Sequence, residues 1–377
     1  MVSPAEQSIC NQMLENGDII TPAEFLELLL GVSKPLALTL LSMSYGIPNA
    51  EVNGVQRVHD KLVSLGISGT KVHLGVDNSY ANRIVPDLDL PICYADILGK
   101  GEFVSRQASA FQELQCTPNT TLAFHGSEKP PFFPLSKIDH RKLLLVNESD
   151  HFQPDYGVVF GFNMNGQVES SIDSGVYITD PDVLSWLQLY SRSPHYSDAV
   201  HKEFENFVFV TRELTKRGNE LADKEIADVI AQSRKEIFFC SQWLPDSVIL
   251  NNFLEAAERG VKVSIYSNCP PFGKEPLYGV FRSILLKKIE KISKRHSTFR
   301  LYVPHNHDTH FHLKSMIVDP HSNTAVALTG TDNMANRILQ KLGVRETLVR
   351  LNDEPMVNNF YNFLAQNVFP YSKPHEK

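Results

Sequence analysis

Two stretches of the sequence each place a lysine two residues after a histidine, at the start of an apolar run. They are IDHRKLLLVNE at 138–148 and HFHLKSMIVDP at 310–320. On a β-strand, residues two apart point to the same side, so each stretch presents an imidazole and an ammonium group together. An imidazole serves as nucleophile or general acid near neutral pH, and an ammonium group stabilises phosphate oxygens. The pairs therefore predict phosphodiester chemistry that needs no metal ion and no cofactor.

The residues that follow the two pairs also repeat. Strand-like runs end in a small residue and an asparagine, GVVFGFNM at 157–164 and AVALTGTDNM at 325–334. An acid then begins a further strand in each copy, Asp173 in the first and Glu346 in the second. A carboxylate on the second ring nitrogen of a histidine fixes its tautomer and stabilises the imidazolium. Two copies of this pattern predict a duplicated site in which the two acids orient the two histidines.

The second pair lies at the end of a run of histidines. His305, His307, His310 and His312 fall in this segment, and only His312 stands two residues before a lysine. We therefore predict that His312 is catalytic and that the other three lie in a solvated loop, with a metal site as the alternative.

The order of the surrounding elements predicts an α/β protein with two similar α/β/α halves. Upstream of each histidine strand come an apolar strand, a helix and a β-branched strand, and the asparagine and acid strands follow it. We expect a pseudo-twofold axis between the halves and the active site at their junction. We predict an N-terminal helical segment at 1–34 and a first half at 35–191. A connector at 192–222 then leads to the second half at 223–377.

Composition limits the class of protein. The chain has 377 residues, 42% of them hydrophobic, which is enough for large cores. Its net charge of −7 disfavours a protein that coats nucleic acid by neutralising phosphates. The five cysteines are scattered and form no CxxC pair, which indicates reduced thiols rather than a zinc or disulfide framework.

The sequence also predicts where the protein is found. The N-terminus lacks the pattern of a secretory signal. The most apolar stretch, 25–46, is broken by Gly31, Lys34 and Pro35, so it predicts a short helix, a turn and a buried strand rather than a membrane span. We therefore expect a cytoplasmic protein, and peripheral contact with a membrane surface stays open.

At the repeated motifs the sequence resembles the phospholipase D superfamily, whose signature is His-x-Lys-x4-Asp followed by Gly-Ser/Gly-x-Asn. The second copy matches this signature at His312, Lys314, Asp319, Gly330, Thr331, Asn333 and Glu346. The first copy retains His140, Lys142, Gly161, Asn163 and Asp173. In that copy Asn147 stands in place of the motif aspartate, and Phe160 stands in place of the first glycine.

The resemblance implies a role for each of these residues. It implies that His140 is the nucleophile, which forms a phosphohistidine, and that His312 is the general acid. Each later acid pairs with the histidine of its own copy, whereas the motif position, Asp319 or Asn147, supports the fold. The residues that it assigns to phosphate binding are Lys142, Lys314, Asn163, Asn333, Gly161 and Thr331.

Within the superfamily, a compact chain with two motifs is most similar to bacterial cardiolipin synthases. Loops at 127–137 and 268–281 combine paired prolines, aromatics and a lysine, which fits the rim of a lipid-binding cleft or loops packed on the body. The basic segment 282–295 has helical spacing and faces anionic lipid or solvent. The resemblance thus implies a phosphodiesterase or phosphatidyltransferase with a glycerophospholipid substrate. A metal-independent nuclease and a non-catalytic phospholipid-binding protein stay open as alternatives.

Overall fold

The chain forms two compact units. The computed structural model describes residues 14–42, 53–77, 101–125, 138–149, 153–164, 171–192, 201–212, 216–268, 276–306, 309–334 and 344–375. Unit 1 comprises Met1–Glu169 and Ser174–Tyr196, and unit 2 comprises Ser170–Asp173 and Ser197–Lys377. Both units combine helices with a mixed sheet, so the predicted α/β class is confirmed.

Unit 1 is built on a seven-stranded sheet. The strands of this sheet are β1 (Ile19–Ile20), β2 (Ala37–Ser42), β3 (Lys71–Asp77), β4 (Thr120–His125), β6 (Leu143–Asn147), β7 (Tyr156–Phe160) and β9 (Gly175–Ile178). The unit also contains the short strand β5 (Ile138–Asp139), which is not one of the seven. The order in the sheet is β1-β9-β7-β6-β2-β3-β4. The described helices are α1 (Pro22–Gly31), α2 (Asn53–Ile67), α3 (Gly101–Cys116) and α4 (Pro181–Arg192).

Unit 2 contains a larger sheet and a separate two-stranded pair. Its strands are β8 (Ser171–Ile172), β10 (His201–Glu203), β11 (Phe207–Arg212), β12 (Glu236–Ser241), β13 (Lys262–Ser267), β14 (Phe299–Pro304), β15 (His310–Phe311), β16 (Lys314–Val318), β17 (Val326–Gly330), β18 (Val344–Leu351) and β19 (Ser372–Pro374). The sheet has the order β10-β11-β18-β17-β16-β12-β13-β14-β19, and β8 pairs in parallel with β15. The described helices are α5 (Lys216–Gln232), α6 (Ser247–Glu258), α7 (Pro276–Arg295) and α8 (Glu354–Asn367), followed by a 3-10 helix at Phe369–Tyr371.

Six strands of each sheet follow the same plan. In unit 1 the order is β9-β7-β6-β2-β3-β4, and in unit 2 it is β18-β17-β16-β12-β13-β14. The pairings are parallel between the last three strands and antiparallel elsewhere, in both units. The histidine strand, the asparagine strand and the acid strand therefore occupy matching places in the two sheets. The pseudo-twofold relation itself stays a prediction.

The apolar stretch near the N-terminus folds as the sequence predicts. Thr21 caps α1 with a capping box. The Thr21 hydroxyl accepts from the amide of Glu24, and the Glu24 carboxylate accepts from the amide of Thr21. Helix α1 ends at Gly31, and the buried strand β2 begins at Ala37. No helix within the described ranges is long and apolar enough to span a membrane.

Each sheet buries one apolar face that positions the motif strands. In unit 1, Leu144 and Val146 of the histidine strand join a core that includes Phe25 and Leu62. In unit 2, Met316 and Val318 join a core with residues of α5, α6 and α7. Because side chains alternate along a strand, the lysines at the strand starts lie on these same faces, at the edge of each core.

Candidate active site

His312 sits in a buried, charged setting within unit 2. Its Nδ1 lies 2.5 Å from Oδ2 of Asp173, and both side chains are almost fully buried. Lys314 Nζ donates to the carbonyl oxygen of His312 at 2.7 Å and lies 3.8 Å from the Asp173 carboxylate. A carboxylate on Nδ1 leaves Nε2 as the ring nitrogen that can transfer a proton.

The partner of His312 differs from the prediction. Pairing within each copy predicts Glu346 beside His312 and Asp173 beside His140. In the structure Asp173 holds His312 instead, because β8 pairs with β15 and the His312 amide donates to the carbonyl of Ile172 at 2.9 Å. That pairing brings the acid of the first copy to the histidine of the second. Spacing along the chain does not encode such a long-range strand pair.

Burial and charge set the protonation of the neighbouring groups. Burial lowers the pKa of Lys314, while Asp173 and Glu346 act in the opposite direction. The nearby His310 has its pKa lowered to about 3, first by burial and then by His312 and Lys314. His310 is therefore neutral at physiological pH, which limits the positive charge around His312.

Unit 1 presents the matching pair just before β6. His140 and Lys142 are both buried, and Lys142 Nζ donates to the carbonyl oxygen of His140 at 3.1 Å. Lys314 makes the equivalent contact to His312. The motif lysine thus folds back onto the backbone of its own histidine in both copies, which keeps the ammonium group close to that residue.

The asparagines lie in equivalent places in the two units, three residues after the ends of β7 and β17. Asn163 and Asn333 are largely buried, and no donor within the described residues reaches the side-chain oxygen of either. Two serines that the sequence analysis did not single out support these loops. Ser241 Oγ donates to the Asn333 carbonyl at 3.1 Å, and Ser42 Oγ accepts from the Met164 amide at 3.3 Å. Both serines end the first core strand of their unit, and this matching position is the signal that could have identified them.

Gly161 and Thr331 make structural contacts. The amide of Gly161 donates to the Ser174 carbonyl at 2.9 Å, and the amide of Thr331 donates to the Thr347 carbonyl at 2.8 Å. The Thr331 hydroxyl also accepts from the Thr347 amide at 2.8 Å. These groups tie the asparagine loop to the acid strand, and their predicted role in phosphate binding stays a prediction.

The departure at Phe160 is balanced by a glycine on the neighbouring strand. Phe160 lies opposite Gly175, whereas the equivalent Gly330 lies opposite Leu348. Gly330 has φ of 119°, and a Cβ there would come within 2.3 Å of the Thr347 carbonyl oxygen. A Cβ on Gly175 would lie 3.2 Å from Cβ of Phe160. The large and small residues have thus exchanged strands, so the pair keeps its volume.

The motif aspartate of the second copy binds backbone amides at the start of β12, and its predicted role in supporting the fold stays a prediction. The fully buried Asp319 accepts backbone amides from Arg234, Lys235 and Glu236 at 2.7 to 2.9 Å. In the first copy Asn147 instead donates through Nδ2 to the carbonyl of Gln153 at 2.9 Å. Both residues lie at the far end of the strand from the lysine.

A polar side chain at the end of the second core strand, β3 or β13, clamps the segment before each motif histidine. In unit 2, Asn268 accepts the Phe311 amide at 3.0 Å and donates to the Phe311 carbonyl at 2.7 Å. Its Nδ2 also lies 3.1 Å from Nδ1 of His310. In unit 1, Asp77 accepts the Asp139 amide at 2.6 Å. Sequence reasoning missed both clamps, because single polar residues at strand ends carry no signal without the pairing register.

The residue between histidine and lysine differs between the copies. Arg141 is buried, and its guanidinium binds the Asp139 carboxylate at 2.6 Å and the Tyr190 carbonyl at 2.6 Å. In unit 2 the equivalent positions are the apolar Phe311 and Leu313. The arginine is therefore committed to an ion pair in unit 1, which holds the strand in place.

Of the three histidines predicted to lie in a solvated loop, His310 departs from the prediction, because it is buried and belongs to β15. His305 is exposed, His310 is buried beside Asn268, and His307 lies outside the described residues. Within the described ranges, no group of three or more histidine, cysteine, aspartate or glutamate side chains is arranged to hold a metal ion. The loop 127–137 and residues 269–275 of the loop 268–281 also lie outside the described residues.

Comparisons with known proteins concern the family and the fold. Residues 226–367 match the model of a family described as "Cardiolipin synthase, PLD-like domain". The fold is similar to that of phosphatidylserine synthase from Haemophilus influenzae, with a TM-score of 0.66, 13% identity and coverage of 98% of this chain and 91% of that chain. It is also similar to polyphosphate kinase from Porphyromonas gingivalis, with a TM-score of 0.55, 12% identity and coverage of 95% of this chain and 48% of that chain.

The predicted resemblance to the phospholipase D superfamily is therefore confirmed. The matched family region contains the whole second motif, from His312 to Glu346. A search of curated proteins found no match.

Proposed function

We propose that the protein is a phospholipase D-type enzyme that transfers or hydrolyses the phosphatidyl group of glycerophospholipids through a phosphohistidine. The observation that carries the proposal is the buried His312, with Asp173 on its Nδ1 and Lys314 beside it. This arrangement provides a proton donor with a fixed tautomer next to a cation that can stabilise a phosphate oxygen.

The proposed first step breaks the bond between phosphorus and the leaving alcohol. An imidazole nitrogen of His140 forms a bond to phosphorus while the P–O bond to the alcohol breaks. His312, protonated on Nε2, gives that proton to the leaving oxygen, and Asp173 stabilises the imidazolium before the transfer. Lys142 and Lys314 offset the charge on the non-bridging oxygens.

The second step regenerates the enzyme. Nε2 of His312, now neutral, removes the proton of an acceptor hydroxyl as its oxygen bonds to phosphorus. The P–N bond to His140 breaks, and its electron pair returns to the imidazole. Water as acceptor gives phosphatidic acid, and an alcohol gives a new phospholipid.

Two comparisons support a lipid substrate. The matching family region is described by the name of a cardiolipin synthase, and the similar fold over most of both chains is that of a phosphatidylserine synthase. The acidic net charge of −7 points away from nucleic acid. These findings favour phospholipid over DNA as the substrate class.

A direct assay tests the substrate class. Purified protein is incubated with phosphatidylglycerol, phosphatidylcholine and single-stranded DNA in separate reactions that contain EDTA. We expect release of phosphatidic acid or a transfer product from lipid, and intact DNA. His312→Ala should abolish turnover, whereas His305→Ala, in the exposed part of the same histidine run, should not. Cleavage of DNA without lipid turnover would make the protein a nuclease, and turnover of neither would make it a binding protein.

Trapping the intermediate tests the chemistry. We expect His312→Ala to accumulate an acid-labile, alkali-stable label from phospholipid on His140, since the nucleophile remains while proton transfer is lost. His140→Ala should accumulate none. The opposite result reverses the roles of the two histidines.

A further inference from the structure

Helix α7 of unit 2 carries a concentrated positive charge on its exposed side. The exposed cations, here called the basic face, are Lys287, Lys291, Lys294 and Arg295. At 3.6 residues per turn they fall, together with Ile284, within an arc of about 120°. The side chain of Ile284 is 59% exposed on this side of the helix.

The opposite side of α7 anchors the helix to unit 2. Ile289 and Ile292 are buried in the core of this unit, and Leu285 and Leu286 pack against the same core. Lys288, at the edge of the basic face, donates to Asn251 at 2.7 Å and to the Ser247 carbonyl at 3.1 Å on α6. The basic face therefore belongs to a helix whose apolar side is already packed against the core of unit 2.

The charge of the basic face is not neutralised within the described part of the chain. None of its four cations forms an ion pair or hydrogen bond there. Glu290 is the one acid between 283 and 295, against a total chain charge of −7. A cationic face on an acidic protein attracts an extended anionic surface, while the rest of the molecule is repelled from it.

We infer that the basic face docks the protein onto a bilayer that contains anionic phospholipid. An extended anionic leaflet lets all four cations act together, and each one strengthens binding about fivefold. Ile284 supplies an apolar contact at the same side of the helix, which fits the boundary between headgroups and acyl chains. The inference concerns binding and goes beyond the proposed catalytic function.

Vesicle sedimentation tests this docking surface. The protein is mixed with vesicles of phosphatidylcholine alone, or with vesicles in which about a third of the lipid is phosphatidylglycerol. All samples carry His140→Ala, so that the protein neither turns over the lipids nor becomes covalently attached to them. We expect binding only to the anionic vesicles, and weaker binding as salt increases, because exposed charges are screened.

Charge-matched variants locate the surface. Lys287→Gln/Lys291→Gln/Lys294→Gln should weaken binding to anionic vesicles on the order of a hundredfold, as three cations are lost. The control Lys71→Gln/Lys235→Gln/Lys373→Gln removes the same charge from exposed positions elsewhere and should bind nearly as the parent does. Ile284→Ser should weaken binding several-fold without changing its salt dependence.

Equal vesicle binding by the two triple variants would overturn the inference, and so would equal binding to the two kinds of vesicle. A third contrary outcome is that Lys287→Gln/Lys291→Gln/Lys294→Gln loses binding to single-stranded DNA while its binding to vesicles is unchanged. The last would assign the basic face to nucleic acid. The readout is independent of catalysis, so a protein that binds anionic vesicles but turns over no lipid would retain the docking surface and lose the proposed function.

Discussion

At the scale of single residues, the charge balance around His312 decides what it can do. Asp173 and Lys314 lie on the same side of the imidazole, and His310 stays neutral nearby. The Asp173 carboxylate lies on Nδ1 of His312 and also faces the ammonium group of Lys314, so it can stabilise a positive charge on the imidazole.

Asp173→Asn tests the orienting acid. We expect turnover to fall by about 1,000- to 10,000-fold, because an amide no longer fixes the tautomer or stabilises the imidazolium. Turnover measured against Asp182→Asn, an exposed acid on α4, separates this effect from a general loss of charge. A mild effect of Asp173→Asn, together with a steep effect of Glu346→Gln on the protonation of His312, would return the orienting role to Glu346.

His310 predicts a pH dependence of stability. In the folded protein its pKa is about 3, below the ordinary value of 6.5 for a free histidine. Between these values the unfolded chain binds a proton that the folded chain does not, so acidification lowers the free energy of unfolding. His310→Asn should therefore lose less stability than wild type between pH 6.5 and pH 3, as measured by urea unfolding. His305→Asn serves as the exposed control, and an unchanged pH slope for His310→Asn would refute this contribution.

At the scale of elements, side chains replace missing strand contacts beside the motif histidines. Strand β15 is only two residues long, and Asn268 bonds both the amide and the carbonyl of its second residue, Phe311. In unit 1 Asp77 makes the equivalent contact to β5 with an acceptor alone. The clamps therefore fix the backbone of the residue that precedes each motif histidine.

Asn268→Leu should lower turnover without a matching change in KM. Losing both hydrogen bonds frees the segment before His312, and a shift of about 1 Å in a catalytic group costs on the order of 100-fold in rate. Asn268→Asp keeps the acceptor that unit 1 uses and should recover part of the lost rate. Steady-state kinetics of the two variants are compared after circular dichroism shows that both are folded. Equal rates for Asn268→Leu and wild type would make the clamp dispensable.

At the scale of the whole molecule, the sequence predicts much of each unit's plan but less of how the site is assembled. The repeated His-x-Lys and asparagine motifs locate His140, His312 and the strands that carry them, because strand periodicity is local. The Asp173–His312 pair and the clamps depend on which distant strands lie side by side. Only the pairing register contains that information, so a single sequence does not reveal it.

The two units also differ in how the residue at the motif aspartate position contacts its surroundings. In unit 2 the Asp319 carboxylate accepts hydrogen bonds from the backbone amides at the start of β12, including the amide of Arg234. In unit 1 Asn147 lies opposite Ala37, so the position equivalent to Arg234 is Pro35, which has no amide hydrogen. A carboxylate at residue 147 would lack one of the amide donors that Asp319 has. An asparagine, which donates to the Gln153 carbonyl, therefore suits this position better.

Asn147→Asp should therefore reduce stability and leave turnover unchanged. The carboxylate cannot donate to the Gln153 carbonyl, and we expect a loss of about 1 to 3 kcal/mol in the free energy of unfolding. Residue 147 lies five residues along the chain from Lys142, about 16 Å on an extended strand, so the change does not reach the histidine end. Urea unfolding and kcat are measured on the same preparations. Adding Pro35→Ala restores an amide donor and should recover part of the lost stability. A folded Asn147→Asp protein that turns over substrate while wild type does not would mean that unit 1 had lost its chemistry, and would favour the phospholipid-binding alternative.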